Sequence, residues 1–126
     1  MRSEYVFRVL LGVAVLVVVY GTLIGNGTPM EQRFPDFDKL EHFTAFGGVA
    51  GLARLSFRRV GSWQMLEHVS LMGALIEVAQ SAPAIHRDCD WRDWVADTAG
   101  AACALLVLAL VLRWLGARRP AGPLVI

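Results

Sequence analysis

The sequence predicts an all-α protein, a four-helix transmembrane bundle with both termini in the cytoplasm. Three observations carry that expectation. Of 126 residues, 56% are hydrophobic and only 18% are charged, with a mean hydropathy of +0.50. The apolar residues gather in four long segments separated by breakers and charges. The basic residues also fall mainly on one side when those segments are counted as crossings. A water-soluble chain of this length would carry a mostly polar surface. Surplus apolar area needs a low-dielectric solvent outside as well as inside.

The first span is expected at about residues 6–26, with its apolar core from Val9 to Ile24. It follows Arg2 and Arg8 and ends in Gly25-Asn26-Gly27-Thr28-Pro29. A cleaved signal peptide has a similar start, but no convincing small-x-small cleavage site follows and three further apolar segments do. An anchored span of about 20 residues is the better reading. The second span, at about 37–57, is rich in small residues, and Gly47 and Gly51 have the GxxxG spacing that lets helices approach closely. The third, at about 62–82, opens on Ser62 as an N-cap and stops before Pro83. The fourth, at about 93–115, has no charge from Thr98 to Leu112 and is followed by Arg113, Arg118 and Arg119. The whole chain reads as one membrane domain, without repeats or long linkers.

Orientation follows from the arginines. Arg2, Arg8, Arg54, Arg58, Arg59, Arg113, Arg118 and Arg119 fall on one side, and only Arg33, Lys39, Arg87 and Arg92 on the other. The positive-inside rule makes the first side cytoplasmic. The acids concentrate near the two outer connections. The net charge of +1 implies no strongly charged partner, and no nucleic acid. Cys89 and Cys103 are too few for a disulfide framework and are expected to lie too far apart for a bridge.

Three helix ends meet at the outer surface, each with ionisable residues at helical spacing. Asp38 and His42 are i, i+4, Glu77 and Gln80 are i, i+3, and Asp93 and Asp97 are i, i+4 with Gly100 on the same face. Arg87 in the last loop can reach over them. Charged side chains near hydrocarbon cost several kcal/mol unless paired or wet, so they tend to mark function. Each has a plainer reading beside the functional one. Asp38 and Asp93 could cap helices. Glu77 with Arg87 could be a structural ion pair, and His42 a hydrogen-bonded packing histidine. His86, Glu67 and His68 read as solvated. Trp91 and Trp94 at one edge and Trp63 and Trp114 at the other fit interfacial belts.

These residues resemble the VanZ-like family of small bacterial membrane proteins. The family pattern of Asp-Lys-x-x-His-Phe reads here Asp38-Lys39-Leu40-Glu41-His42-Phe43. Glu-x-x-Gln reads Glu77-Val78-Ala79-Gln80, and the last block is Arg87, Asp93, Asp97 and Gly100 at matching spacings. The resemblance covers about residues 36–104 and departs at Asp97, where the family usually has Asn. It implies a bacterial inner-membrane protein of the cell envelope. Through the family's name-giving member it also implies a link to antibiotic resistance, namely teicoplanin susceptibility.

Two function classes compete. The first is a binder of a membrane lipid or lipid-linked envelope precursor. Its outward cleft is formed by Asp38, Lys39, Gln80, Arg87 and Asp97; Lys39 and Arg87 meet phosphate and the carboxylates meet hydroxyl or amine groups. The second is a small intramembrane enzyme acting on such a head group. There His42 or Glu77 is the general base, and Asp93 and Asp97 orient it or bind a divalent metal. The catalytic set would be His42, Glu77 and Asp93. Neither the cofactor nor the oligomeric state is fixed, and a homo-oligomer is compatible with the sequence. The chain lacks a G-x-S-x-G elbow, an H-E-x-x-H helix and a paired-histidine phosphatase signature. Transport is disfavoured because no charge lies at the midplane of any span. A purely structural subunit is the remaining class.

Overall fold

The computed structural model of the chain describes residues 2–24, 37–82, 85 and 89–117. These residues form four helices and no strand: α1 (Arg2–Ile24), α2 (Phe37–Ser56), α3 (Ser62–Gln80) and α4 (Trp91–Ala117). The four segments match those read from hydropathy, with shifts at their ends. Gly61, not Ser62, is the residue preceding α3, and no side chain caps that end. The helix also stops at Gln80, two residues early, with Ser81 as its C-cap. At α4 the cap is Asp90 rather than Asp93. Asp90 Oδ1 accepts the Arg92 backbone N–H at 2.9 Å, and the Asp90 carbonyl accepts the Asp93 N–H at 2.9 Å.

Contacts between the helices give an up-down-up-down arrangement. Lys39 meets Asp93 and His42 meets Asp97, so α2 and α4 run parallel. Ser70 meets Thr98 and Glu77 meets the Asp90 backbone, so α3 runs against α4. The α2–α4 pair is the most closely packed, while α1 lies against α2 and α3. At one end Arg8 stacks over the Phe57 ring at 5.1 Å. There Arg8, Arg58 and Arg59 line a cavity of about 370 Å³ with Glu4 and Ser56. The acidic helix ends lie at the opposite end of the bundle.

Apolar side chains cover much of the outside, and several charged ones are buried within. Leu16 is 70% exposed and Val78 67%, whereas Glu77 is 4% exposed and Asp97 0%. The apolar core around Phe46, Val49, Ala50, Val69 and Leu105 lies between the two ends. Two helices, α1 over Ser3–Ile24 and α4 over Trp91–Gly116, are long and apolar enough to cross a membrane. The charges on α2 and α3, among them Lys39, Arg54, Glu67 and Glu77, keep those helices below that apolarity.

Close approach of α2 to α4 depends on Gly100, where an added Cβ would collide with the Phe43 carbonyl. Gly47 meets the Gly100 carbonyl from the facing helix, 3.2 Å from where its own Cβ would sit. Gly51 has nothing within 4 Å of its Cβ position, so the pair in GxxxG spacing is not the packing motif. The contact is instead between helices, Gly47 against Gly100. Replacing Gly100 by Ala is therefore expected to cost about 1–3 kcal/mol through overpacking. Gly51→Ala, with open space for its Cβ, should be stabilising by up to about 1 kcal/mol. Thermal unfolding of both variants in detergent checks the contrast.

Candidate functional site

The site forms because three helix ends each turn an ionisable face toward a common centre. His42 on α2, Glu77 and Gln80 on α3, and Asp93 and Asp97 on α4 are all buried. Their i, i+3 and i, i+4 spacings put both members of each pair on one face, as the sequence implies. His42 Nδ1 lies 2.8 Å from Asp97 Oδ1. With Asp97 ionised its oxygens only accept, so Nδ1 donates; in the neutral ring Nε2 then keeps its lone pair for another partner. The imidazole is nearly parallel to the ring of Phe46 one turn below, at 6.3 Å between centroids. Phe46 is fully buried and floors the site.

Glu77 has two different oxygens. Oε2 accepts the Asp90 backbone N–H at 3.0 Å, which ties the last loop to α3 just before α4 begins. Oε1 is buried without a hydrogen-bond partner, as are Asp97 Oδ2 and Gln80 Oε1. Gln80 turns its amide nitrogen outward instead, donating to the Thr22 carbonyl of α1 at 2.8 Å. Asp97 Oδ2 fits against α3 only because residue 73 is glycine. A Cβ there would lie 2.6 Å from that oxygen.

Lys39 sits at the mouth of the site among three carboxylates. Its Nζ lies 3.3 Å from Asp38 Oδ2, 3.2 Å from Asp90 Oδ2 and 3.2 Å from Asp93 Oδ1. The Asp93 contact is an ion pair without hydrogen-bond geometry. Asp38 also accepts the Lys39 backbone N–H at 2.8 Å, so it serves the first turn of α2 as well as the ion pair. The ammonium assigned to phosphate in the binding hypothesis is thus already balanced by acids. Asp90 was not among the residues singled out from the sequence. Its signal was an acid directly before a helical run with a second acid three residues on, a capping-box spacing. The Arg92 backbone N–H, then the Lys39 ammonium, hold the Asp90 carboxyl below its ordinary range.

A further polar seam joins α3 to α4 below the site. Trp94 Nε1 donates to the Ser70 carbonyl and hydroxyl, both at 3.1 Å, and Ser70 Oγ lies 2.8 Å from Thr98 Oγ1. Trp94 therefore links two helices as well as facing outward, whereas Trp91 is 67% exposed. Arg87 and His86 lie outside the described residues, and with them the Glu77–Arg87 pair. Cys89 and Cys103 are both free thiols, and both are exposed.

One imidazole and two carboxylates offer ligand atoms close together. One atom each from His42, Glu77 and Asp97 lies within 4.8 Å of the others. Chemically, this arrangement can accept protons, bind hydroxyl or ammonium donors, or hold a cation. No protein-family model, curated protein or solved structure matches this chain. The site is therefore read from its own geometry.

Cys89 reports on the charge of the site. Local desolvation, then the carboxylates of Glu77, Asp90 and Asp93, push its thiol pKa up from the ordinary value. The thiolate is the reactive form, so alkylation at pH 8 should be slow and rise as pH passes 9. In a Cys103→Ser background, Glu77→Gln removes one negative charge, lowers that pKa and should speed iodoacetamide labelling at pH 8. Labelling rates as a function of pH measure the effect.

Proposed function

We propose that this is a four-span membrane protein that binds the head group of a lipid or lipid-linked envelope precursor at the acidic end of its bundle. In this reading both termini face the cytoplasm of a bacterial inner membrane. The apolar exterior supports it, as does the gathering of Arg8, Arg58 and Arg59 at the end opposite the site. The residues that resemble the VanZ-like pattern, Lys39, His42, Glu77, Gln80, Asp93 and Asp97, are the ones that line the site. The link to teicoplanin rests on that resemblance alone.

The observation that carries the proposal is the set of buried acceptors without donors: Glu77 Oε1, Gln80 Oε1 and Asp97 Oδ2. Buried polar groups are normally paired, and leaving them unpaired costs roughly 1–3 kcal/mol each. A site rich in acceptors suits ligand hydroxyl and ammonium groups. Lys39, neutralised by three acids, steadies the mouth rather than seeking phosphate. The His42–Asp97 contact favours a second reading, an enzyme on the same head group. An aspartate that holds Nδ1 orients an imidazole whose Nε2 can take a proton from a hydroxyl or water.

Lipid mass spectrometry of protein purified in mild detergent separates these readings. A binder should carry a defined head-group class, and Glu77→Gln should cut its occupancy about tenfold, the effect of losing one charged hydrogen bond of about 1.5 kcal/mol. An enzyme should keep much of that lipid in His42→Ala yet lose turnover of it. A wild-type lipid profile matching the bulk membrane, unchanged in both variants, would defeat the proposal.

A further inference from the structure

We infer that His42, Glu77 and Asp97 form a binding site for one divalent transition-metal ion at the base of the acidic cleft. The inference deepens the head-group reading and rests on it for what the ion would act upon.

Geometry comes first. Three side chains from three helices each present a ligand atom, all within 4.8 Å of one another. A metal with bonds of about 2.0–2.2 Å holds neighbouring ligand atoms roughly 3.0–3.6 Å apart, depending on its coordination geometry. On binding, the ion would displace the Nδ1 proton that now bridges His42 and Asp97 Oδ1 at 2.8 Å, so that both atoms become ligands. The remaining closure lies within the reach of a glutamate rotamer. Each residue sits on a packed helix, which fixes ligand position better than a loop does.

The second observation is independent of clustering. Glu77 is 4% exposed and Asp97 0%, and Glu77 Oε1 and Asp97 Oδ2 have no hydrogen-bond partner. Buried carboxylates either take a proton or find a cation. Among the described residues, Lys39 is the lysine or arginine that pairs with this end of the bundle, and Asp38, Asp90 and Asp93 already hold it. Among the described residues, Glu77 and Asp97 then have the Asp90 backbone N–H on Glu77 and the His42 ring on Asp97 as hydrogen-bond partners, and no lysine or arginine. The missing side chain at Gly73 brings Asp97 Oδ2 close to α3, on which Glu77 lies one turn further along. A larger residue there would push the oxygen away from the trio.

Donor chemistry narrows the ion. Mg²⁺ and Ca²⁺ prefer all-oxygen shells, whereas an imidazole with two carboxylates suits Zn²⁺, Mn²⁺ or Fe²⁺. Three protein ligands also leave an open position, as catalytic rather than structural zinc sites do. That position can take water or a head-group oxygen. Bound there, the ion would polarise the oxygen and lower the pKa of a bound water.

The test uses the metal alone, so its failure leaves head-group binding standing. Full-length protein without a histidine tag is purified in detergent, stripped with chelator and titrated calorimetrically with Zn²⁺, Mn²⁺ and Mg²⁺ in separate runs. One equivalent of Zn²⁺ or Mn²⁺ should bind with Kd at or below micromolar, and Mg²⁺ at least a hundredfold more weakly. Glu77→Gln and Asp97→Asn should each weaken Zn²⁺ binding tenfold or more, while Glu67→Gln, exposed near the start of α3, should leave it unchanged. Should Asp97→Asn fail to fold, Gly73→Ala and His42→Gln serve in its place, with folding followed by helical circular dichroism. Co²⁺ supplies a second readout, because a nitrogen–oxygen site of low coordination gives visible absorption bands that Zn²⁺ then bleaches. The inference is overturned if wild type binds no stoichiometric ion. It is equally overturned if binding survives loss of all three ligands or follows His68 or Cys89 instead.

Discussion

The contact of Gly100 with the Phe43 carbonyl sets the geometry on which everything else depends. It brings α2 and α4 together with almost no side chain between them. One turn toward the site, the same register places His42 against Asp97 at 2.8 Å, and near the helix ends it places Lys39 against Asp93 at 3.2 Å. Ionic contacts of this kind are too weak and too dependent on surroundings to dictate helix register alone. Close backbone packing does so through sterics, which cannot be screened. The charged groups then meet because the backbones already have.

Buried charges at one end of an apolar core, beneath an exposed apolar exterior, depart from the usual pattern of a soluble protein. In water, the exposure of Leu16, Val17 and Val78 would be unfavourable. In a bilayer that surface is neutral, and the interior becomes the only place for charge. The interior charges are arranged in two tiers. At the mouth, three acids surround Lys39 and are charge-balanced by it, although Asp93 Oδ1 has no hydrogen bond. Beneath them, Glu77 and Asp97 keep one oxygen each without a partner. The first tier is structural, and the second has capacity to spare.

Much of this was legible in the sequence because helical spacing is a local property. The i, i+4 steps from Asp38 to His42 and from Asp93 to Asp97 fix which residues share a face, whatever the tertiary structure. That faces of three helices converge followed from counting spans. What spacing cannot give is how far one helix slides or rotates against another. Gly51 therefore looked like a packing residue and is not, while Gly73 and Gly100 carry the close approaches. The Ser70, Trp94 and Thr98 seam was invisible for the same reason, since it joins residues more than twenty positions apart. The cap of α4 was placed at Asp93 rather than Asp90 on local grounds, because the two acids are equally plausible until the helix start is known.

Gln80 spends its amide nitrogen on the Thr22 carbonyl, near the end of α1, where a helix cannot satisfy its own last carbonyls. α1 otherwise touches the bundle through a modest apolar stripe that includes Leu11, Ala14, Val15 and Val18. One side chain thus belongs both to the acidic cluster and to the contact between α3 and α1. A substitution at Gln80 is therefore felt in two places at once, among the buried carboxylates and at the end of the first helix.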